Sequence, residues 1–175
     1  MKVYYDTGVL LPLYIEEAFS ATVSRIVEAR GEPIALNLVQ EMEFENALRL
    51  KVFRGEITAG RVTEILSARD EDIRVGRLVR RPVNWTQVFE ETRRLSAVST
   101  VKTGCRTLDV MHVAIALKWG CECFASADAR QLKAARSAGL KVLDVAGKAE
   151  EGLHHPPSSR KNGTTKGRLI CTDLR

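Results

Sequence analysis

Apolar positions along this chain switch repeatedly between a spacing of two and a spacing of three to four, the signature of short strands alternating with amphipathic helices. Met1 to Tyr5 opens as a strand and runs into a turn at Asp6-Thr7-Gly8. After Pro12, Glu16 to Ala29 carries Phe19, Val23, Ile26 and Val27 at helical spacing, until Gly31 and Pro33 break the pattern. Ile34 to Leu36 reads as a second strand, followed by a helix from about Val39 to Phe53 that Gly55 stops. Val62, Ile65, Leu66 and Ala68 predict a helix over Ile57 to Ile73, with Thr58 as its N-cap. Arg74 to Val83 has no clean period and admits a strand; Asn84 or Thr86 then caps a helix through Val88, Phe89, Thr92 and Leu95. A helix over Thr107 to Trp119, a strand over Cys121 to Ala125, a helix over Asp128 to Ala138 and a strand over Leu140 to Val145 complete the pattern.

Strands separated by helices imply parallel crossovers, and so an α/β fold: a three-layer α/β/α sandwich with one central parallel sheet. In such sheets ligands bind outside the carboxyl ends of the strands, where Asp6 and Asp128 are expected. From about Glu150 the chain turns to Gly, Ser, Pro, Thr and Lys with little to bury. The expected organisation is therefore a domain over 1–149 and a flexible basic tail over 150–175.

Composition changes this picture little. The 175 residues carry a net charge of +5, which points toward nucleic acid, but five Lys or Arg against two acids lie beyond Glu150, leaving about +2 for the rest. Cys105, Cys121, Cys123 and Cys171 form neither a disulfide framework nor a CxxC metal pair, so reduced thiols are expected. No apolar run approaches the roughly 20 residues of a bilayer span, and no cleavable leader is read at the start; the expectation is a soluble, cytoplasmic protein with no membrane partner.

The chemistry that stands out is carboxylate. Asp6 ends the first strand, where an ordinary turn or N-cap aspartate would also sit. Glu43 falls in the stripe of Val39, Ala47 and Leu50, so it is expected to face inward unless the stripe is rotated by one residue. Asp109 interrupts the almost wholly apolar Leu108 to Leu117, which a helix-dipole role alone does not explain. Asp128 follows Ser126-Ala127 and could simply cap the next helix. Gathered in one pocket, four acids would repel one another unless a divalent cation neutralised them, and Mg²⁺ prefers such hard oxygen ligands. His112, three residues after Asp109, reads more readily as a packed core histidine than as a catalytic group. A phosphatase with an aspartate after the first strand would need a second acid two residues on, where Gly8 stands.

These residues resemble those of the PIN-domain nucleases, and most closely the VapC-type toxins of toxin-antitoxin modules. The resemblance runs from about Met1 to Val145 and rests on Tyr5-Asp6-Thr7, Glu43-Phe44-Glu45-Asn46-Ala47-Leu48, Arg106-Thr107-Leu108-Asp109-Val110-Met111-His112-Val113-Ala114 and Ser126-Ala127-Asp128, in that order. It implies a metal-dependent endoribonuclease. Asp6, Glu43, Asp109 and Asp128 would be its catalytic acids, and Asp6, Asp109 and Asp128 would hold Mg²⁺ or Mn²⁺, with Glu43 as a further ligand or the base that orients water. Thr7 and Ser126 would orient carboxylates or water. A metal-activated water would hydrolyse the phosphodiester to a 5′-phosphate and a 3′-hydroxyl. Arg106 and Arg130 are the expected RNA contacts, with Arg49, Lys51 and Arg54 also flanking the motifs. The resemblance further implies a cognate antitoxin and a homodimer, served by the apolar helices near Leu10 to Ile26 and Val39 to Ile65. The competing expectation is a catalytically inactive PIN-like module that binds RNA or a partner protein.

Overall fold

The computed structural model describes residues 2–147; the expected tail over 150–175 lies outside them. Five short strands alternate with seven helices among these residues. The strands are β1 (Val3–Tyr5), β2 (Ile34–Leu36), β3 (Leu78–Arg80), β4 (Cys123–Ser126) and β5 (Lys141–Asp144). The helices are α1 (Thr7–Leu10), α2 (Ser20–Arg30), α3 (Leu38–Phe53), α4 (Ala59–Arg74), α5 (Trp85–Thr103), α6 (Thr107–Lys118) and α7 (Ala129–Ser137).

Every strand pair is parallel, as the crossover pattern requires. The expected single sheet is divided into two ladders, β1-β4-β5 and β2-β3. The pairing of Tyr5 with Ala125 and of Ser126 with Asp144 aligns the carboxyl ends of β1, β4 and β5 along one edge. There the Asp6 amide continues the ladder by donating to the Ala125 carbonyl at 3.0 Å.

Side-chain alternation along β1 and β4 produces the layers. Tyr4 and Phe124 point into one core cluster with Val113, Ile115 and Leu132, while Tyr5 and Ala125 point into the other with Val9, Phe44 and Leu48. Tyr4 stacks on Phe124 with centroids 5.4 Å apart and rings 8° from parallel. Both side chains are almost wholly buried, each contributing roughly 1.5–3 kcal/mol by removal from water.

Local chemistry explains the boundaries. The caps expected at Thr58 and Asn84 are formed: Thr58 Oγ1 accepts from the Arg61 amide at 3.1 Å and Asn84 Oδ1 from Gln87 at 3.2 Å. The stretch admitted as a strand contains β3, paired along its length with β2. One expectation is corrected near the amino terminus. The helix expected from Glu16 begins at Ser20, and α1 with a 3₁₀ turn over Leu11–Leu13 precedes it. Ser20 Oγ accepts from the Glu17 amide at 2.9 Å and so holds the intervening segment as a turn.

Beneath α4, Asp72 is fully buried and receives the Tyr14 hydroxyl and the Arg77 guanidinium, each at 2.5 Å. That cluster ties α4 to the segment following the 3₁₀ turn.

Candidate active site at the carboxyl edge of the sheet

Asp6 stands at the end of β1 as the residue before α1, and its side chain makes no helix-capping bond. Its carboxylate is instead met by two side chains from the β4–α7 junction. Ser126 Oγ lies 3.2 Å from Asp6 Oδ2, and Gln131 Nε2 lies 3.4 Å from Oδ1. Burial pushes the Asp6 carboxyl above its ordinary range and the Glu43 charge adds to this, while His112 and Gln131 act in the opposite direction.

Glu43 reaches the same region from α3, but not by the stripe expected for it. The buried residues of α3 are Val39, Gln40, Phe44 and Leu48, so of the expected stripe Val39 is buried, Glu43 and Ala47 are half-buried at the border, and Leu50 is exposed. This border position lets a carboxylate point toward the site without entering the core. Thr7 Oγ1 donates to Glu43 Oε2 at 2.7 Å. His112 Nε2 lies 2.5 Å from the same oxygen and 3.8 Å from Asp6 Oδ1. Burial disfavours the Glu43 charge, but the His112 and Thr7 contacts outweigh it and hold the carboxyl below its ordinary range.

Asp109 sits in the first turn of α6, where its Oδ2 accepts from the Arg106 amide at 2.8 Å. Its carbonyl oxygen lies 3.4 Å from Gln131 Nε2. Asp128 is placed differently from the other three acids. It caps α7, with Oδ1 accepting from the Arg130 amide at 2.8 Å, and pairs through Oδ2 with the Arg130 guanidinium at 2.9 Å. That pairing keeps its carboxyl below the usual range. The structure thus brings Asp6, Glu43 and His112 into direct contact, with Asp109 at their edge, and commits Asp128 to a cap. Among the described residues, no three His, Cys, Asp or Glu side chains are gathered closely enough to hold a metal ion by themselves.

The basic residues divide similarly. Arg130 pairs with Asp128, while the exposed Arg106 forms no ion pair among the described residues. Arg49 pairs with Glu45, Lys51 with Glu17 and Glu56, and Arg54 approaches Glu56 at 3.8 Å. The exposed Arg49 and Arg54 pairs hold weakly, while those of Lys51 are half-buried.

Three polar residues of the site are not among those singled out from the sequence. Gln131 links Ser126 (2.7 Å), Asp6 and the Asp109 carbonyl, and is 1% exposed. Asn37 and Gln40 form a buried capping box at the start of α3, and Gln40 Nε2 also donates to the Tyr5 carbonyl at 2.6 Å. The Asn–x–x–Gln spacing was the available clue for that box. His112 was visible as the one ring in an apolar helix, and it is in the core, but its far edge reaches the two carboxylates.

This arrangement of parallel strands and helical layers has a counterpart among solved structures. The fold resembles that of FitAcB from Neisseria gonorrhoeae. Its crystal structure aligns with a TM-score of 0.55 and 16% identity, covering 83% of this chain and 99% of that one. At that identity the fold is what is shared. No protein-family model matches the sequence, and no curated protein does. No helix among the described residues is long and apolar enough to cross a membrane.

Proposed function

We propose that this protein is a Mg²⁺- or Mn²⁺-dependent endoribonuclease acting as the toxin of a toxin-antitoxin pair. The observation that carries the reading is the convergence of Asp6 and Glu43 on one edge of a parallel sheet, from elements far apart in sequence and joined through His112, with the main-chain carbonyl of Asp109 tied to Asp6 through Gln131. The likeness in fold to FitAcB supports it.

The donor set suits a hard divalent cation. Asp6 is a buried carboxylate whose charge is disfavoured where it stands, and a cation beside it would remove that penalty. Asp6, Glu43 and Asp109 would hold the ion, with waters and a substrate phosphate completing the shell. When bound, such an ion neutralises charge on the scissile phosphate and activates a water. Asp128 joins as a ligand only by giving up Arg130, which would then be free for the RNA backbone; the exposed Arg106 has no ion pair among the described residues. Thr7 and Ser126 keep the Glu43 and Asp6 carboxylates in place. An antitoxin and a second copy of the chain are the proposed protein partners.

A second reading, an RNA- or partner-binding module without hydrolysis, draws on the commitment of Asp128 to its cap and to Arg130. One assay separates the two. Purified full-length protein is incubated with a panel of single-stranded and structured RNAs in Mn²⁺ or Mg²⁺, beside EDTA and the Asp6→Asn and Asp109→Asn variants. Cleavage that is lost in EDTA and in both variants supports the nuclease. RNA binding without cleavage supports the module, and cleavage that survives both substitutions refutes the assigned site.

A further inference from the structure

Behind Glu43 runs a buried line of side chains whose hydrogen bonds have a determined direction. Asn37 Oδ1 accepts from the amides of Val39 and Gln40, so its Nδ2 must be the atom that faces Tyr4, 3.1 Å from the hydroxyl oxygen. Tyr4 Oη, already accepting that bond, lies 2.7 Å from His112 Nδ1 and has its own hydrogen to place. Giving it to Nδ1 leaves the ring hydrogen on Nε2, pointing at Glu43 Oε2. The opposite assignment, with hydrogen on Nδ1, would strand the Tyr4 hydroxyl hydrogen in a fully buried site with no other bonded acceptor. Carboxylates around Nε2 also favour a hydrogen there, so a ring with its hydrogen on Nε2 satisfies both ends.

We propose that Tyr4 and His112 are positioning residues for Glu43: Tyr4 selects the ring tautomer that makes His112 a donor, and His112 with Thr7 pins Oε2 so that Oε1 is presented to the cation or water. Both hydrogen bonds fall on Oε2, and Oε1 receives none among the described residues, which leaves it for a ligand. His112 also reaches Asp6 Oδ1 at 3.8 Å, so the same ring spaces the two carboxylates. Packing keeps the ring from turning: it is 1% exposed and lies 5.8 Å from the Tyr4 ring, which is itself stacked on Phe124. The consequence for a cation rests on the nuclease reading above; the tautomer does not.

The test uses the full chain and three variants. Tyr4→Phe removes one hydroxyl and keeps the stacking ring, His112→Gln keeps a donor near Nε2, and His112→Leu keeps bulk alone. Ring ¹⁵N chemical shifts of His112 at pH 7.5 in EDTA are expected to show hydrogen on Nε2 alone in the wild type and a mixture of tautomers in Tyr4→Phe. Titration with Mn²⁺ alone, followed by calorimetry, is expected to show affinity about tenfold weaker in Tyr4→Phe and roughly 10- to 100-fold weaker in His112→Leu, with His112→Gln recovering most of the loss. Hydrogen on Nδ1 in the wild type, or an unchanged tautomer in Tyr4→Phe, overturns the proposal. Equal Mn²⁺ affinity in folded wild type and His112→Leu overturns the positioning role. Wild-type protein that shows the expected tautomer but binds no Mn²⁺ and cuts no RNA would instead overturn the nuclease reading.

Discussion

Replacing Gln131 by Leu should loosen the carboxyl edge of the sheet at nearly constant volume. Gln131 Oε1 accepts from Ser126 at 2.7 Å, and its Nε2 lies 3.4 Å from both Asp6 Oδ1 and the Asp109 carbonyl. Leu removes all three contacts. The Ser126 hydroxyl can re-aim toward Asp6 Oδ2 at 3.2 Å, so its loss is partly recovered, and the Asp109 carbonyl keeps its partner in the α6 ladder, but Asp6 Oδ1 loses the Gln131 donor. With buried groups costing about 1–3 kcal/mol when left without partners, the change should total about 2 kcal/mol. For a domain of this size that is a fall in Tm of roughly 4–8 °C. Gln131→Glu should be worse in EDTA: a second ionised carboxylate 3.4 Å from Asp6 is repelled by about 5 kcal/mol at an effective dielectric near 20, an upper limit because proton uptake relieves it. Urea unfolding of the full chain in EDTA measures both. A Leu variant within about 0.5 kcal/mol of wild type, or a Glu variant no less stable than the Leu one, would show that Gln131 does not bridge the site.

Three further outcomes follow from the same geometry. Asp72→Ala removes the buried acceptor of the Tyr14 hydroxyl and of one Arg77 bond and should cost about 1–3 kcal/mol by denaturant unfolding; a loss below about 0.5 kcal/mol would mean the Asp72 cluster is not held as described. Asp128→Ala should cost about 1 kcal/mol through loss of the α7 cap, whereas Asp128→Asn keeps a capping oxygen; if the Asn variant retains fold but loses cleavage, Asp128 acts through its charge and not its cap. Because burial raises the Asp6 carboxyl above its ordinary 3.8, the native protein binds that proton before the unfolded chain does. Wild-type stability relative to Asp6→Asn should therefore rise as pH falls from neutrality toward 3.8 in EDTA, and parallel stability curves would contradict this.

How much of the site was legible depends on which partner each residue answers to. Asp6, Glu43 and Asp109 were readable because each places a charge where its own strand or helix should be apolar, a local conflict that needs only the sequence to be seen. The capping alternative weighed for Asp128 describes its contacts here, since a cap and a ligand look alike in sequence and differ only in whether Arg130 reaches back. Glu43 turns inward to Thr7 and His112, but Leu50 of the expected stripe is exposed, because a helix bordering two layers buries a narrower line than its apolar residues suggest. His112 was read as core on the apolar character of α6, which is true of its burial and silent about what its far nitrogen touches.

The sequence by itself determined the alternation of strands and helices, their parallel sense, most helix starts, and three acids set against their surroundings. These are short-range properties: spacing, caps and glycine stops act within a few residues. Tertiary structure decided the division of the strands into two ladders and the convergence of Asp6 with Glu43 and His112. It also decided the service of Gln131, Tyr4 and Asn37 behind them. Those outcomes depend on the register of β1 against β4, which brings residue 6 beside residue 126, and on how α3 and α6 lie across the sheet. A helix or strand reads which face of itself is apolar; only packing shows which side chains from different elements share that face.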